Sequence, residues 1–223
     1  MRDTRPNPEP NHPAVPHRDM PRLVLGSTSV YRRELLNRLG LPFQTAAPDT
    51  DETPLPGEAP SALAQRLAQA KAQAVVEAWH TPTDDIVVIG SDQVADLAGQ
   101  PLGKPGSHDR AVAQLRAMRG RTVHFHTAVC VLRPQTGVVA CGLDSVAVRF
   151  RELSDDDIDT YLALEQPYDC AGSAKCEGLG ISLLEGIAST DPTSLIGLPL
   201  ILTMQLLRQA GLDVLTALRT PAR

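Results

Sequence analysis

The segment Leu23–Leu36, LVLGSTSVYRRELL, constrains the fold more than any other part of the chain. It reads as a short buried strand, a hydroxyl-rich turn and a helix that opens on Arg32 and Arg33. A helix start already carries unsatisfied N–H groups and partial positive charge, so two arginines in its first turn are badly placed for stability alone. An anion seated there reverses the sign of that cost. Ser27, Thr28 and Ser29 supply hydroxyls, and the arginines supply planar forks suited to phosphate oxygens. The segment therefore predicts a polyphosphate site at the C-terminal end of the first strand. The competing reading is a Ser/Thr-capped helix with its arginines in solvent.

The rest of the chain supports an α/β fold. Its 223 residues suit one large domain or two small ones. Tyr31–Leu39 reads as a helix ended by Gly40, and Ser61 is expected to cap a long helix running to Trp79. Ile86–Ile89 is a β-branched buried strand leading into Gly90-Ser91-Asp92-Gln93. A hairpin is expected around Gly99, and Ser107 caps a helix with Ala111, Leu115 and Met118 inward. Thr122–Leu132 and Val138–Phe150 read as paired long strands. Ser154 precedes an acidic helix start, Ile181–Leu184 is read as a strand, and a last helix spans Leu198–Ala210. This order suggests a long mixed sheet with flanking helices.

Residues 1–20 hold five prolines and no apolar periodicity, and are expected to be a disordered leader, with Met20 a candidate start. The folded domain is placed at 21–217, with a tail at 218–223. The formal charge of −5 and an aromatic content of 3% argue against a nucleic-acid binder. No apolar run approaches the ~20 residues of a membrane span. The four cysteines form no CxxC pattern and are read as free thiols in a reducing cytoplasm, with no zinc site.

Several residues could carry chemistry. Asp92, directly after a buried strand, could be a general base or a metal ligand, or could merely cap a turn. Glu52 lies with Asp49 and Asp51 in a loop able to help hold Mg²⁺ or Mn²⁺, or simply to be solvated. Lys71 borders the apolar stripe of its helix and either snorkels or meets a phosphate. Lys104 sits on a stiff Gly-Lys-Pro turn. His124 and His126 share one strand face and are read as structural. The Walker A pattern is missing, so P-loop chemistry is excluded.

The stretches LVLGSTSVYRRELLNRLGLPF, TDETP, LAQAKAQAV, VIGSDQV, LGKP, CAGSAKCEGLGISL and LIGLPL, in that order, resemble the Maf family of nucleoside triphosphate pyrophosphatases. The likeness covers about Leu23 to Leu206. It implies the Maf/ITPase-like fold, with a long central mixed sheet and two lobes around a substrate cleft. It also implies cleavage between the α and β phosphates, with a divalent metal, Mg²⁺ or Mn²⁺. On the family pattern Asp92 is the proton acceptor, Glu52 a metal or water ligand, and Asp92 a second metal ligand. Arg32, Arg33, Lys71 and Lys104 meet the triphosphate, and Ser27 is the serine of the first turn. A homodimer in the cytoplasm is the expected assembly.

Three positions point to a subgroup. Tyr31, Gln93 and Glu177 stand where the dTTP and UTP hydrolases of the family carry Arg, Thr and Gln. The pattern resembles the 7-methyl-GTP subgroup, although Val30 replaces the usual Pro and Tyr31 the expected Trp. N7-methylated guanine is cationic, and an aromatic face attracts it by about 0.5–2 kcal/mol. A carboxylate at Glu177 can accept from guanine N1–H and N2–H₂. The alternatives are a pyrimidine or broad-specificity pyrophosphatase, or a non-catalytic nucleotide-binding regulator of cell division.

Overall fold

The computed structural model describes residues 20–81 and 84–219. The expected leader lies outside the described residues except for Met20, as does the tail beyond Arg219. One strand organises the molecule. β3 (Ile86–Leu97) runs on through Gly90-Ser91-Asp92-Gln93, so Asp92 lies within a 12-residue strand and not beyond the end of a short one. Its first half pairs in parallel with β1 (Arg22–Gly26), ending at Gly26 opposite Gly90. Its far end pairs with β4 (Gln100–Leu102), beginning at Ala95. Between those partners, Ser91–Val94 pair only with β5 (Thr122–Arg133). The sheet opens on that edge, and the opening becomes the cleft.

The main order is β2-β1-β3-β5-β6-β7, with β4 off this path on β3, where β2 is Phe43–Ala46, β6 Val138–Phe150 and β7 Leu184–Ala188. β2 escapes sequence reading because it is four residues long and follows a helix closely. β7 starts at Leu184, later than the sequence suggests, because Leu179–Leu183 form a 3₁₀ turn that buries Gly180 and Leu183.

Both faces of the first lobe are covered. On one face α1 (Val30–Asn37), α5 (Leu200–Gln209) and α6 (Val214–Arg219) pack Leu35, Leu36, Leu206, Leu207 and Val214 against Leu25, Val87 and Ile89. Helix α6 absorbs Leu218 and Arg219, residues assigned from sequence to the tail. On the other face α2 (Pro60–Glu77) packs Leu63, Leu67 and Val75 against Val24, Ile86 and Val88. The second lobe is built by α3 (His108–Met118) and α4 (Asp155–Glu165) around Phe125, Phe150 and Tyr161.

Two local assignments differ from the sequence reading. Helix α2 is not capped by Ser61: Ala59 is its extended first residue, and Pro60 fills the first helical position, where its missing N–H costs nothing. Cys130 and Cys141 are not free thiols. Direct register neighbours on β5 and β6, their Cα atoms lie 4.0 Å apart and their sulfurs are bonded. Cys170 and Cys176 are free.

Helix α2 approaches β3 at Gly90 because Gly90 has no side chain. A Cβ there would lie 2.2 Å from Ala68 O and 2.6 Å from Ala72 N. Both are helix backbone atoms, so the helix itself would have to move. Gly90→Ala should therefore destabilise the protein by about 1–3 kcal/mol, in the range of overpacked cores. Chemical denaturation measures it, and a wild-type midpoint would contradict the assigned contact.

Candidate active site

Helix α1 begins as the sequence implies, with Ser29 as its N-cap. Ser29 Oγ accepts from Arg32 N at 3.4 Å, and Ser27 Oγ accepts from Ser29 N at 3.1 Å. No acidic residue occupies the first turn. Arg32 turns into the cleft, where its Nε donates to Gly197 O at 2.8 Å. Burial pulls its guanidinium pKa down, while the charges of Asp92 and Glu52 pull it up. An anion beside it relieves the same desolvation. Arg33, about 100° further round the helix, does not line that cleft. It faces an adjoining cavity of about 220 Å³ shared with Ser27, Thr28, Ser29 and Thr45. The two arginines predicted to act together thus diverge.

The centre of the site is Lys71. Strand parity puts Asp92 on the same face of β3 as Val88, toward α2, and the close approach at Gly90 brings Lys71 over it. Lys71 Nζ donates to Asp92 Oδ1 at 2.6 Å and lies 2.6 Å from Glu52 Oε1. Lys71 is 6% exposed and Asp92 7%, so this is a buried ionic contact and not a snorkelling lysine. Burial acts to raise the pKa of Glu52. The Lys71 hydrogen bond and the charges of Lys71, Lys104 and Arg32 outweigh it, and the carboxyl ends below its ordinary value. Lys104 lines the same cleft from the turn after β4.

Glu52 is held there by a loop whose main fastening, Arg66 onto Glu58, sequence reading missed. Arg66, on α2, forks onto Glu58 with Nε–Oε1 at 2.7 Å and Nη2–Oε2 at 2.8 Å, and donates to Thr53 O at 3.0 Å. Asp51 Oδ1 accepts from Thr53 N at 2.9 Å. The acidic loop is therefore fastened to the helix that carries Lys71. The Glu58–Arg66 pair joins a loop to a helix across its start, so no helical spacing reveals it.

The same cleft is also lined by Tyr31, Gln93, Glu177 and Asp169, and the charges of Asp169 and Glu177 act on the Tyr31 phenol. Asp169 also went unnoticed in the sequence, where nothing marks it. Burial first, then the nearby Cys170 and Asp169, push the Tyr31 phenol up to about 12, so it stays neutral and able to donate at neutral pH. Lys175, in the same loop, is paired with Glu165 at 2.7 Å. The whole cleft has a volume of about 810 Å³. His126 sits outside its lining, bound to Ser145 Oγ at 2.8 Å and near Asp96 Oδ2 at 3.3 Å.

A family model described as Maf-like protein matches residues 22–210. This chain belongs to the Maf family. Three relatives bear the name 7-methyl-GTP pyrophosphatase. The one from Polaromonas sp. is 63% identical over 189 residues, covering 85% of this chain and 84% of its own. Its counterpart in Albidiferax ferrireducens is 57% identical, covering 88% and 96%, and that of Cupriavidus metallidurans 57%, covering 86% and 94%. The mixed seven-stranded sheet with flanking helices is the Maf architecture. Among the described residues no helix is long and apolar enough to cross a membrane.

The loop clamp has a pH signature. Arg66, then the Leu55 N–H, hold the Glu58 carboxyl at about 2. Its folded pKa is depressed, so the fastening is complete above the ordinary carboxylate range and lost only as pH falls through the folded value. Amide exchange at Leu55, whose N–H donates to Glu58 Oε2 at 3.0 Å, should stay slow at about pH 4. Arg66→Gln should remove that protection at the same pH without unfolding the domain. Free exchange at Leu55 in the wild-type protein would contradict the clamp.

Proposed function

We propose that the chain hydrolyses 7-methyl-GTP to 7-methyl-GMP and pyrophosphate. One observation carries this reading: a single cleft is lined both by the cations Lys71, Arg32 and Lys104 and by the acceptors Glu177, Asp169 and Gln93, together with Tyr31. A nucleotide whose base is cationic and whose tail is a polyanion has the complementary polarity. The names of the relatives support the same substrate.

In this reading the water attacks the α phosphorus and Asp92 takes its proton. Lys71 keeps the Asp92 carboxylate oriented and shares its charge with the phosphates. Arg32 and Lys104 neutralise charge on the departing pyrophosphate, with Ser27 and Arg33 at the far, phosphate-binding margin. Glu52 and Asp92 also fit a divalent metal. They are hard oxygen donors already converging on one cation, Lys71 Nζ, and Mg²⁺ or Mn²⁺ takes one or two carboxylates with substrate phosphates completing the shell. No cluster of three His, Cys, Asp or Glu side chains exists among the described residues, so substrate oxygens and water would complete the shell. When bound, the metal supplies charge neutralisation at the phosphates.

At the base end Tyr31 stacks against the cationic ring, and Glu177 accepts from guanine N1–H and N2–H₂. Uracil or thymine offers one donor there and leaves carboxylate capacity unpaired. The test is pyrophosphate release from 7-methyl-GTP, GTP, UTP and dTTP with Mg²⁺ or Mn²⁺. The 7-methyl-GTP should be turned over best, and Asp92→Asn should lower its turnover by about 10²-fold or more while the circular dichroism spectrum is kept. A preference for pyrimidines refutes the base assignment; wild-type turnover in the variant refutes the role of Asp92.

A further inference from the structure

We infer that Thr127 is a positioning residue for base selection: tied to both Gln93 and Ser194 O, it helps the carbonyls of Ser194 and Leu195 hold Gln93 as a hydrogen-bond acceptor aimed at a base with an exocyclic amine. The inference rests on the nucleotide reading above and deepens it.

Gln93 and Thr127 are direct register partners on β3 and β5, so their side chains emerge side by side. Gln93 Nε2 donates to Thr127 Oγ1 at 2.9 Å and lies 3.0 Å from Ser194 O and 3.2 Å from Leu195 O. Two of these three neighbours are backbone carbonyls, which cannot donate. The amide nitrogen must therefore be the atom on that side. Thr127 has one hydroxyl proton, and it goes to Ser194 O at 3.1 Å. Its lone pairs are what remain to face Gln93. Thr127 is fully buried, so no water competes for these bonds.

The consequence falls on the other end of the amide. Gln93 Oε1 has no donor among the described residues, yet it is not one of the buried unpaired atoms. It is open to the cleft that Gln93 lines. With its nitrogen committed to the protein, Gln93 can only accept from a ligand. Together with Glu177 it presents acceptors to the base, which suits adjacent donors such as the N1–H and N2–H₂ of guanine. A pyrimidine carbonyl or the unprotonated N1 of adenine would meet lone pairs with lone pairs.

The discriminating ligand is 7-methyl-ITP, which keeps the cationic ring and N1–H but lacks the exocyclic amine. In pyrophosphate-release assays wild-type protein should prefer 7-methyl-GTP over it by about tenfold in kcat/KM. Thr127→Val, isosteric but without the hydroxyl, removes one acceptor of Gln93 and the tie to Ser194 O while the two carbonyls remain, so it should lower that preference several-fold, and Thr127→Ser should keep it. Equal use of both nucleotides by wild type, or full preference in Thr127→Val, overturns the inference. Failure of wild type to cleave either one refutes the nucleotide reading instead. A second measurement then decides, since it needs no ligand. The Gln93 side-chain amide protons, identified by NMR through their loss in Gln93→Met, should exchange slowly in wild type and faster in Thr127→Val. Rapid exchange in wild type, or no change in the variant, overturns the inference.

Discussion

A buried ammonium between two carboxylates is the constraint on which this structure turns. Taking Lys71 and Asp92 out of water costs several kcal/mol for each ion, and their attraction offsets that only when the geometry is close. The two distances of 2.6 Å, to Asp92 and to Glu52, meet that condition. Everything nearby serves the contact. Gly90 lets α2 lie on β3 at a separation that no other residue allows. The parity of β3 turns Asp92 toward the helix, and Arg66 ties the Glu52 loop to the same helix. Such an arrangement is poor value as a stabilising device. It makes sense as a pre-formed charge cluster of the kind the proposed polyphosphate substrate requires.

The break in the sheet edge lets one strand present two consecutive side chains to the cleft from opposite faces. Because Ser91–Val94 have no neighbour on that side, both faces of β3 open into one cleft. Asp92 faces the helix and the cations. Gln93, the next residue, points to the opposite face and into the turn at Ser194–Ile196. In the proposed reading, chemistry and base selection are consecutive positions on one rigid strand, which fixes their separation better than two loops could.

Much of this was legible in the sequence, for physical reasons. The Leu23–Leu36 segment announced its strand, turn and helix because apolar runs and hydroxyl caps are local signals. Asp92, Glu52, Lys71, Lys104, Arg32, Tyr31, Gln93 and Glu177 all line one cleft. Long-range contacts were not legible. Arg66 onto Glu58, Thr127 under Gln93 and Cys130 opposite Cys141 depend on register and loop path, which leave no periodic trace. Ser61 misled because a serine near a helix start looks like a cap even when a proline supplies the boundary. Arg33 follows Arg32 in sequence but points about 100° away round the helix, into the adjoining cavity with Ser27, Thr28 and Ser29, a divergence that sequence adjacency does not reveal.

The central claim is that Asp92 directs water to the α phosphorus, the phosphorus closest along the substrate to the base that Gln93 and Glu177 hold. Turnover of 7-methyl-GTP in H₂¹⁸O, followed by mass spectrometry of both products, tests this directly. The label should appear in 7-methyl-GMP and be absent from pyrophosphate. Label in pyrophosphate would place the attack on the β phosphorus and contradict the account.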